Sequence, residues 1–131
     1  MKITSSAISL NVANPEASAK FVTEHFGFTE DMSADGFVSL SHPGVGYNLV
    51  YLRTGLSSFK PDRIAADAGQ GLLVVWVVDA IDDEYARLQS EGVEIVTPIE
   101  TEPWGERYFQ MIDSNGIVYQ LVQWMSAEAM S

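Results

Sequence analysis

Two helical stretches, each closed by a glycine, lie about 65 residues apart, and each is entered from one strand and left into three more. This repeated order restricts the fold more than any other feature of the chain. In the first copy, residues 7 to 13 alternate, with Ile8, Leu10 and Val12 apolar and Ser9 and Asn11 polar between them, the period of a half-buried strand. Asn14 can then accept hydrogen bonds from the open amides of a helix start, Pro15 suits the first helical position, and Glu16 complements the positive end of the helix dipole. Ala17, Phe21, Val22, His25 and Phe26 form the buried stripe, and Gly27 supplies the left-handed stop. Strands are expected over Phe28 to Met32, Gly36 to Ser41 and Tyr47 to Arg53, separated by Ser33-Ala34-Asp35 and His42-Pro43-Gly44.

The second copy begins after a connection, Thr54 to Gln70, that reads as a loop with one helical turn. Leu72 to Val78 is unbroken apolar sequence and is expected to be a fully buried strand. Asp82 is placed to cap a helix whose stripe is Tyr85, Ala86 and Leu88, and Gly92 ends it. Val93 to Thr97, Arg107 to Ile112 and Ile117 to Trp124 follow as strands, the last two joined by Asp113-Ser114-Asn115-Gly116, whose Asn-Gly step favours a tight turn. The expected class is α+β. Residues 1–131 form one domain of two tandem βαβββ modules, about 1–66 and about 67–131, with sheets curving around a cleft and helices on the outer face.

Charge and cysteine content narrow the function classes. Eighteen acidic against seven basic residues give a formal charge of −11, which opposes both a phosphate backbone and an anionic membrane, so neither nucleic acid nor membrane is an expected partner. That acidity either serves solubility or favours a neutral or cationic small molecule. With no cysteine there is no disulfide, thiol nucleophile or thiolate metal site. The start, Met1-Lys2-Ile3-Thr4-Ser5-Ser6, has no apolar segment of signal-peptide length, and no stretch approaches membrane-spanning length, so a cytoplasmic protein is expected.

The most specific motif is Pro103-Trp104-Gly105-Glu106-Arg107-Tyr108, followed by Asp113-Ser114-Asn115-Gly116-Ile117-Val118-Tyr119-Gln120-Leu121, with Gly27-Phe28 after the first helix. In these features and in strand order the chain resembles the vicinal oxygen chelate superfamily, which includes glyoxalases, extradiol dioxygenases and bleomycin resistance proteins. The resemblance runs from Ala7 to Gln123, with Ser114 standing where a proline is usual. It implies a homodimer and, for members that do chemistry, one divalent metal held by side chains of the first, fourth, fifth and eighth strands. Those positions correspond here to Ala7, to Asn48 or Val50, to Leu73 and to Gln120. Alanine and leucine have no lone pair to give, and an amide oxygen is a weak ligand, so no metal, cofactor or catalytic residue is expected. Bleomycin and mitomycin resistance proteins, which share the fold and hold a drug without a metal, are the members it resembles in this respect.

The leading expectation is therefore a metal-independent binding protein that sequesters a planar compound, cationic or neutral, rather than an enzyme. Trp104, in a Pro-Trp-Gly loop, either stacks on a planar ligand or packs the domain edge. Gln120 shares a face with Val118 and Val122 and either hydrogen-bonds a ligand or is satisfied by Arg107 or a backbone group. Arg107 joins it among the candidate ligand-binding residues. Asn11 shares the Ser9 and Ala7 face, which is a wet cleft wall or plain solvent surface. Phe37, Ser39 and Asn48 complete the set, although alternation leaves either face of their strands free to point inward. The alternatives are a metal-dependent lyase, isomerase or dioxygenase using Asn48, Tyr51, Glu106 or Gln120, and a regulatory or scaffold module whose cleft its own side chains fill. His25 and His42 lie off the ligand-bearing strands, and the acidic run Asp79, Asp82, Asp83 and Glu84 is explained by a helix start.

Overall fold

A computed structural model describes residues 1–56, 62–68 and 70–125. The chain divides into two compact units, Met1–Gln70 and Gly71–Ser131. Unit 1 contains β1 (Ala7–Val12), α1 (Pro15–Phe26), β2 (Thr29–Ala34), β3 (Phe37–Ser41), β4 (Asn48–Arg53) and a single 3₁₀ turn at Asp62–Ile64. Unit 2 contains β5 (Val74–Val77), α2 (Ile81–Ser90), β6 (Ile95–Thr101), β7 (Glu106–Ile112) and β8 (Val118–Trp124). Each unit is one mixed four-stranded sheet, ordered β1-β4-β3-β2 and β5-β8-β7-β6, with its helix on one face. The α+β class and the tandem βαβββ order expected from the sequence are both present. Of the Thr54 to Gln70 connection, residues 57–61 and 69 lie outside the described residues.

In unit 1, β1 runs parallel to β4 and pairs Leu10 with Tyr51, while β3 pairs Val38 with Tyr51 and Leu40 with Leu49. These side chains, with Val12, are buried beneath α1, whose own buried residues are Pro15, Ser18, Ala19 and Val22. The expected stripe is thus rotated: Val22 is central, while Phe21, His25 and Phe26 are half-buried, with Phe21 in T-shaped contact with each of the other two rings. Small Ser18 and Ala19 let the helix approach the sheet closely, which moves the larger rings to its flank. The helix start is as expected, with Asn14 accepting from the Ala17 amide at 3.2 Å.

Unit 2 repeats this plan with different chemistry. Phe109, Met111, Tyr119 and Leu121 are buried with Ile81 and Leu88 of α2, and Tyr85 meets Phe109 edge-on. Both helices run out into a left-handed glycine, which is the cap itself in α1 and follows the cap Glu91 in α2. The amide after the glycine reaches back into the helix, Phe28 to the Val22 carbonyl at 3.2 Å and Val93 to that of Leu88 at 3.1 Å, with Gly27 and Gly92 at φ 74° and 80°.

Three sequence expectations are corrected in unit 2. Asp82 does not cap α2, which begins one residue earlier. The Ile81 amide donates instead to Gln123 Oε1 of β8 at 3.1 Å, and Gln123 Nε2 donates to the Asp79 carbonyl at 2.8 Å. A tertiary partner has replaced the local cap. The stripe of α2 carries Ile81 and Leu88, while Ala86 is exposed. Finally, the Leu72 to Val78 run is not fully buried, because only one of its faces lies under the helix. Val74 is buried, whereas Leu73, Val75 and Val77 emerge on the other side, Val77 at 64% exposure.

Candidate functional site

Strand pairing settles which side chains stand opposite each helix. On the open face of unit 1, Asn11 pairs with Leu52, which pairs with Phe37, and Ser9 pairs with Val50, which pairs with Ser39. Asn48 pairs with Ala7 on the same face. Four of the expected residues, Asn11, Phe37, Ser39 and Asn48, therefore share one surface. Tyr51, an alternative ligand in the enzyme reading, faces the core and is fully buried.

Asn11 is only 8% exposed, and its amide is in use. Nδ2 donates to the Ile64 carbonyl and to the Ala66 carbonyl, the latter at 3.1 Å, and the Ala68 amide donates to the Asn11 backbone carbonyl at 2.8 Å. These bonds tie segment 64–68 along the free edge of β1. Asn11 is thus a clamp on its own chain, which alternation alone could not reveal.

The open face of unit 2 is built in rows across its strands. In the first row Val75 pairs with Gln120, Gln120 with Gln110, and Gln110 with Thr97. Thr97 Oγ1 donates to Gln110 Oε1 at 2.6 Å, and Gln110 Nε2 donates to Gln120 Oε1 at 2.8 Å. The buried amide of Gln120 therefore finds its partner in Gln110, and not in Arg107. In the second row Val77 pairs with Val122, Val122 with Tyr108, and Tyr108 with Glu100. The Tyr108 hydroxyl lies 2.7 Å from Glu100 Oε1 and 2.9 Å from Glu102 Oε1. Its hydrogen bonds to those carboxylates, Glu100 first, hold the phenol neutral and push its pKa well above the ordinary tyrosine range.

Two tryptophans mark one end of this sheet. Trp124 closes β8 on the open face opposite Glu106 and is 57% exposed. Trp104 lies in the turn before β7 and is 65% exposed, and the adjoining Gly105 carbonyl accepts from the Met125 amide at 2.8 Å. The indoles thus flank one strand end beside a carboxylate-rich edge. Thr97, Tyr108, Gln110 and Trp124 were not singled out from sequence. The alternation of Glu106, Tyr108 and Gln110 against Arg107, Phe109 and Met111 carried the signal.

Arg107 falls on the other face. Its Nη2 meets Asp82 Oδ1 of α2 at 2.6 Å and its Nη1 donates to Thr101 Oγ1 at 2.8 Å. That pairing holds the Asp82 carboxyl below its usual range. The strand period that brings Gln110 to the open face sends Arg107 to the helix side.

The metal-bearing positions of the related enzymes do not fit a divalent ion here. Ala7 and Leu73 offer no donor atom, which leaves at most the neutral amide oxygens of Asn48 and Gln120, the latter already accepting from Gln110, as a weak set for a divalent ion. Among the described residues, no three His, Cys, Asp or Glu side chains gather as a metal ligand set. No helix among them is long and apolar enough to cross a membrane.

Two four-stranded mixed sheets in tandem, each with one helix across one face, define the architecture of glyoxalase-type proteins. The profile of the Glyoxalase/Bleomycin resistance protein/Dioxygenase superfamily matches residues 4–121, and the chain belongs to that superfamily. No protein of curated function matches it. Among solved structures, a glyoxalase/bleomycin resistance protein/dioxygenase from Nocardioides superposes with a TM-score of 0.79 at 23% identity, covering 97% of this chain and 87% of that one. TnmS3, an antibiotic binding protein from Streptomyces sp. CB03234, is similar at 26% identity and TM-score 0.70, covering 95% and 98%. A lactoylglutathione lyase from Agrobacterium tumefaciens has a TM-score of 0.73 at 15% identity, covering 93% and 94%.

Proposed function

We propose that this protein is a metal-independent binding protein that sequesters a planar, cationic small molecule, with the open face of unit 2 as its principal contact surface. The observation that carries the reading is the placement of exposed Trp104 and Trp124 at the strand end whose neighbouring edge bears Glu100, Glu102 and Glu106. Flat indole surface attracts a planar ring system, and carboxylates beside it favour a positive charge on that ring or its substituents. The donor set at the enzyme positions and the likeness to an antibiotic binding protein support binding over turnover. The exposed apolar row Leu73, Val75 and Val77 on the edge strand β5 supports a homodimer that packs along that edge and leaves β7, β8 and the tryptophan-bearing strand end to the ligand.

The test is a tryptophan-fluorescence titration with planar cations headed by proflavine, run with and without EDTA, alongside elemental analysis of protein purified without chelator. Saturable quenching at a fixed stoichiometry, unchanged by EDTA and weakened in W104A and W124A, is expected. One tightly held metal per chain, or quenching that appears only when a divalent metal is added, overturns the proposal in favour of a metal-dependent enzyme. Sedimentation velocity across a range of concentrations checks the dimer.

A further inference from the structure

We infer that Gln120 is oriented by Thr97 and Gln110 as a hydrogen-bond donor on the open face of unit 2, so that the ligand presents an acceptor oxygen of carbonyl type to β8. This rests on the small-molecule reading above and adds the chemistry of one contact. The three side chains stand in register on neighbouring strands, and their bonds run head to tail. The Thr97 hydroxyl spends its only hydrogen on Gln110 Oε1, which turns the Gln110 amide so that its nitrogen faces β8. That nitrogen donates to Gln120 Oε1 and so turns the second amide in the same sense. The outcome is a directed relay whose last group is Gln120 Nε2.

Gln120 is largely covered, but its Nε2 keeps access to solvent and, among the described residues, donates to no protein acceptor. Because that nitrogen is not sealed from solvent, a bound water can satisfy it in the free protein and a ligand acceptor can take the water's place. Val75 and Val122 flank it in the sheet and offer no side-chain acceptor. A ligand oxygen arriving over this face would therefore meet a donor held at a set angle, within an apolar surround that strengthens the bond. Reversing both amides would present an acceptor instead and would require Thr97 to accept, so the two orientations predict opposite ligand preferences.

A matched pair of planar amines separates them: 2-(aminomethyl)fluorenone and 2-(aminomethyl)fluorene differ only in a ring carbonyl against a methylene. The wild-type protein is expected to bind the fluorenone about tenfold more tightly, the worth of one well-placed hydrogen bond. Q120L is expected to abolish that preference while still binding the fluorene, Q120E to lose it because a carboxylate brings only acceptors, and T97V to reduce it part-way by freeing Gln110 to turn. Circular dichroism of each variant checks its fold, and Q120E preserves side-chain shape should Q120L unfold.

Equal affinity of the wild type for both amines, or a preference that survives in Q120L, overturns the inference. Side-chain amide NMR supplies a readout that needs no ligand. Slow solvent exchange for a Gln110 Nε2 proton and fast exchange for those of Gln120 are expected, and the reverse pattern overturns the orientation. Neither amine binding while the expected exchange pattern holds would sink the small-molecule reading and leave the donor orientation standing.

Discussion

The two units have the same element order and opposite treatments of the sheet face away from the helix. Unit 1 turns its polar side chain there onto its own backbone, with Asn11 clamping segment 64–68. Unit 2 carries on that face a directed amide relay, a tyrosine held between two carboxylates and the exposed Trp124, with exposed Trp104 in the turn beside it. Duplicated architecture thus fixes where such a face can form, and side-chain chemistry decides what each copy presents there. The loops before the last strand of each unit differ in kind as well. His42 Nδ1 accepts from the Gly44 amide in unit 1. In unit 2 the buried carboxylate of Asp113 accepts from the Asn115 and Ile117 amides and from the Tyr119 hydroxyl.

The largest expected effect tests that loop difference. Asp113→Ala takes the acceptor from two buried donors, the Ile117 amide and the Tyr119 hydroxyl, and is expected to cost about 3 kcal/mol of stability, against roughly 1 kcal/mol or less for His42→Ala, read by urea denaturation. Equal losses would mean that the buried carboxylate does not organise unit 2 as described.

Next in size is the pair of turn glycines. Gly36 has φ 76°, and an added Cβ would lie 3.2 Å from Leu56 Cδ2 and 3.3 Å from Arg53 Cζ. Gly116 has φ 85° and nothing within 4 Å. Both Ala variants suffer the left-handed strain of about 1 kcal/mol, and Gly36→Ala is expected to lose more because it adds crowding. Thermal melts order the two, and a milder Gly36 variant would contradict the packing around Arg53.

Asn11→Ala breaks the clamp and is expected to cost about 1 kcal/mol. Hydrogen exchange at the Ala68 amide should accelerate in this variant, while amides of unit 2 keep their protection. Unchanged protection at Ala68 would show that segment 64–68 does not depend on Asn11.

The smallest effects concern the exposed Arg–Asp pair that each unit carries, Arg53 with Asp35 at 2.8 Å and Arg107 with Asp82 at 2.6 Å. In both, the hydrogen bond from arginine lowers the aspartate pKa. A carboxylate with a folded pKa below its unfolded value near 3.9 stabilises the protein above that value and loses its contribution as pH falls through the lowered one. Arg53→Ala and Arg107→Ala are therefore expected to lie slightly below wild type in stability at pH 7 and to converge with it near pH 2. Solvent keeps both differences small. A gap that persists or widens in acid would assign the effect to lost packing.

Much of the fold was legible because its signals are local. The strand period of Ile8, Leu10 and Val12, the Asn14 cap and the glycine stops at 27 and 92 depend on neighbours a few residues away; the structure keeps the strand, the cap and both stops, although Ile8 is exposed and Asn11 buried. Locality also explains the misreading of Asp82 as a cap, since the true partner, Gln123, comes from a strand more than thirty residues later. The candidate site was legible only as a set of strands. Alternation placed Gln120 with Val118 and Val122, yet it could not say that Gln110 would be its partner or that Arg107 would turn to α2.

By itself the sequence determined the order of elements, the helix ends, the absence of thiol chemistry and the lack of donor atoms at Ala7 and Leu73, since residue identity and local conformational preference suffice for each. The tertiary structure decided which face of each sheet stays open, that Asn11 is consumed by its own chain, and that Gln120 is left with a donor to offer. The physical reason is that a hydrogen bond joins groups brought together by strand register, and register is set by the packing of the whole sheet against its helix.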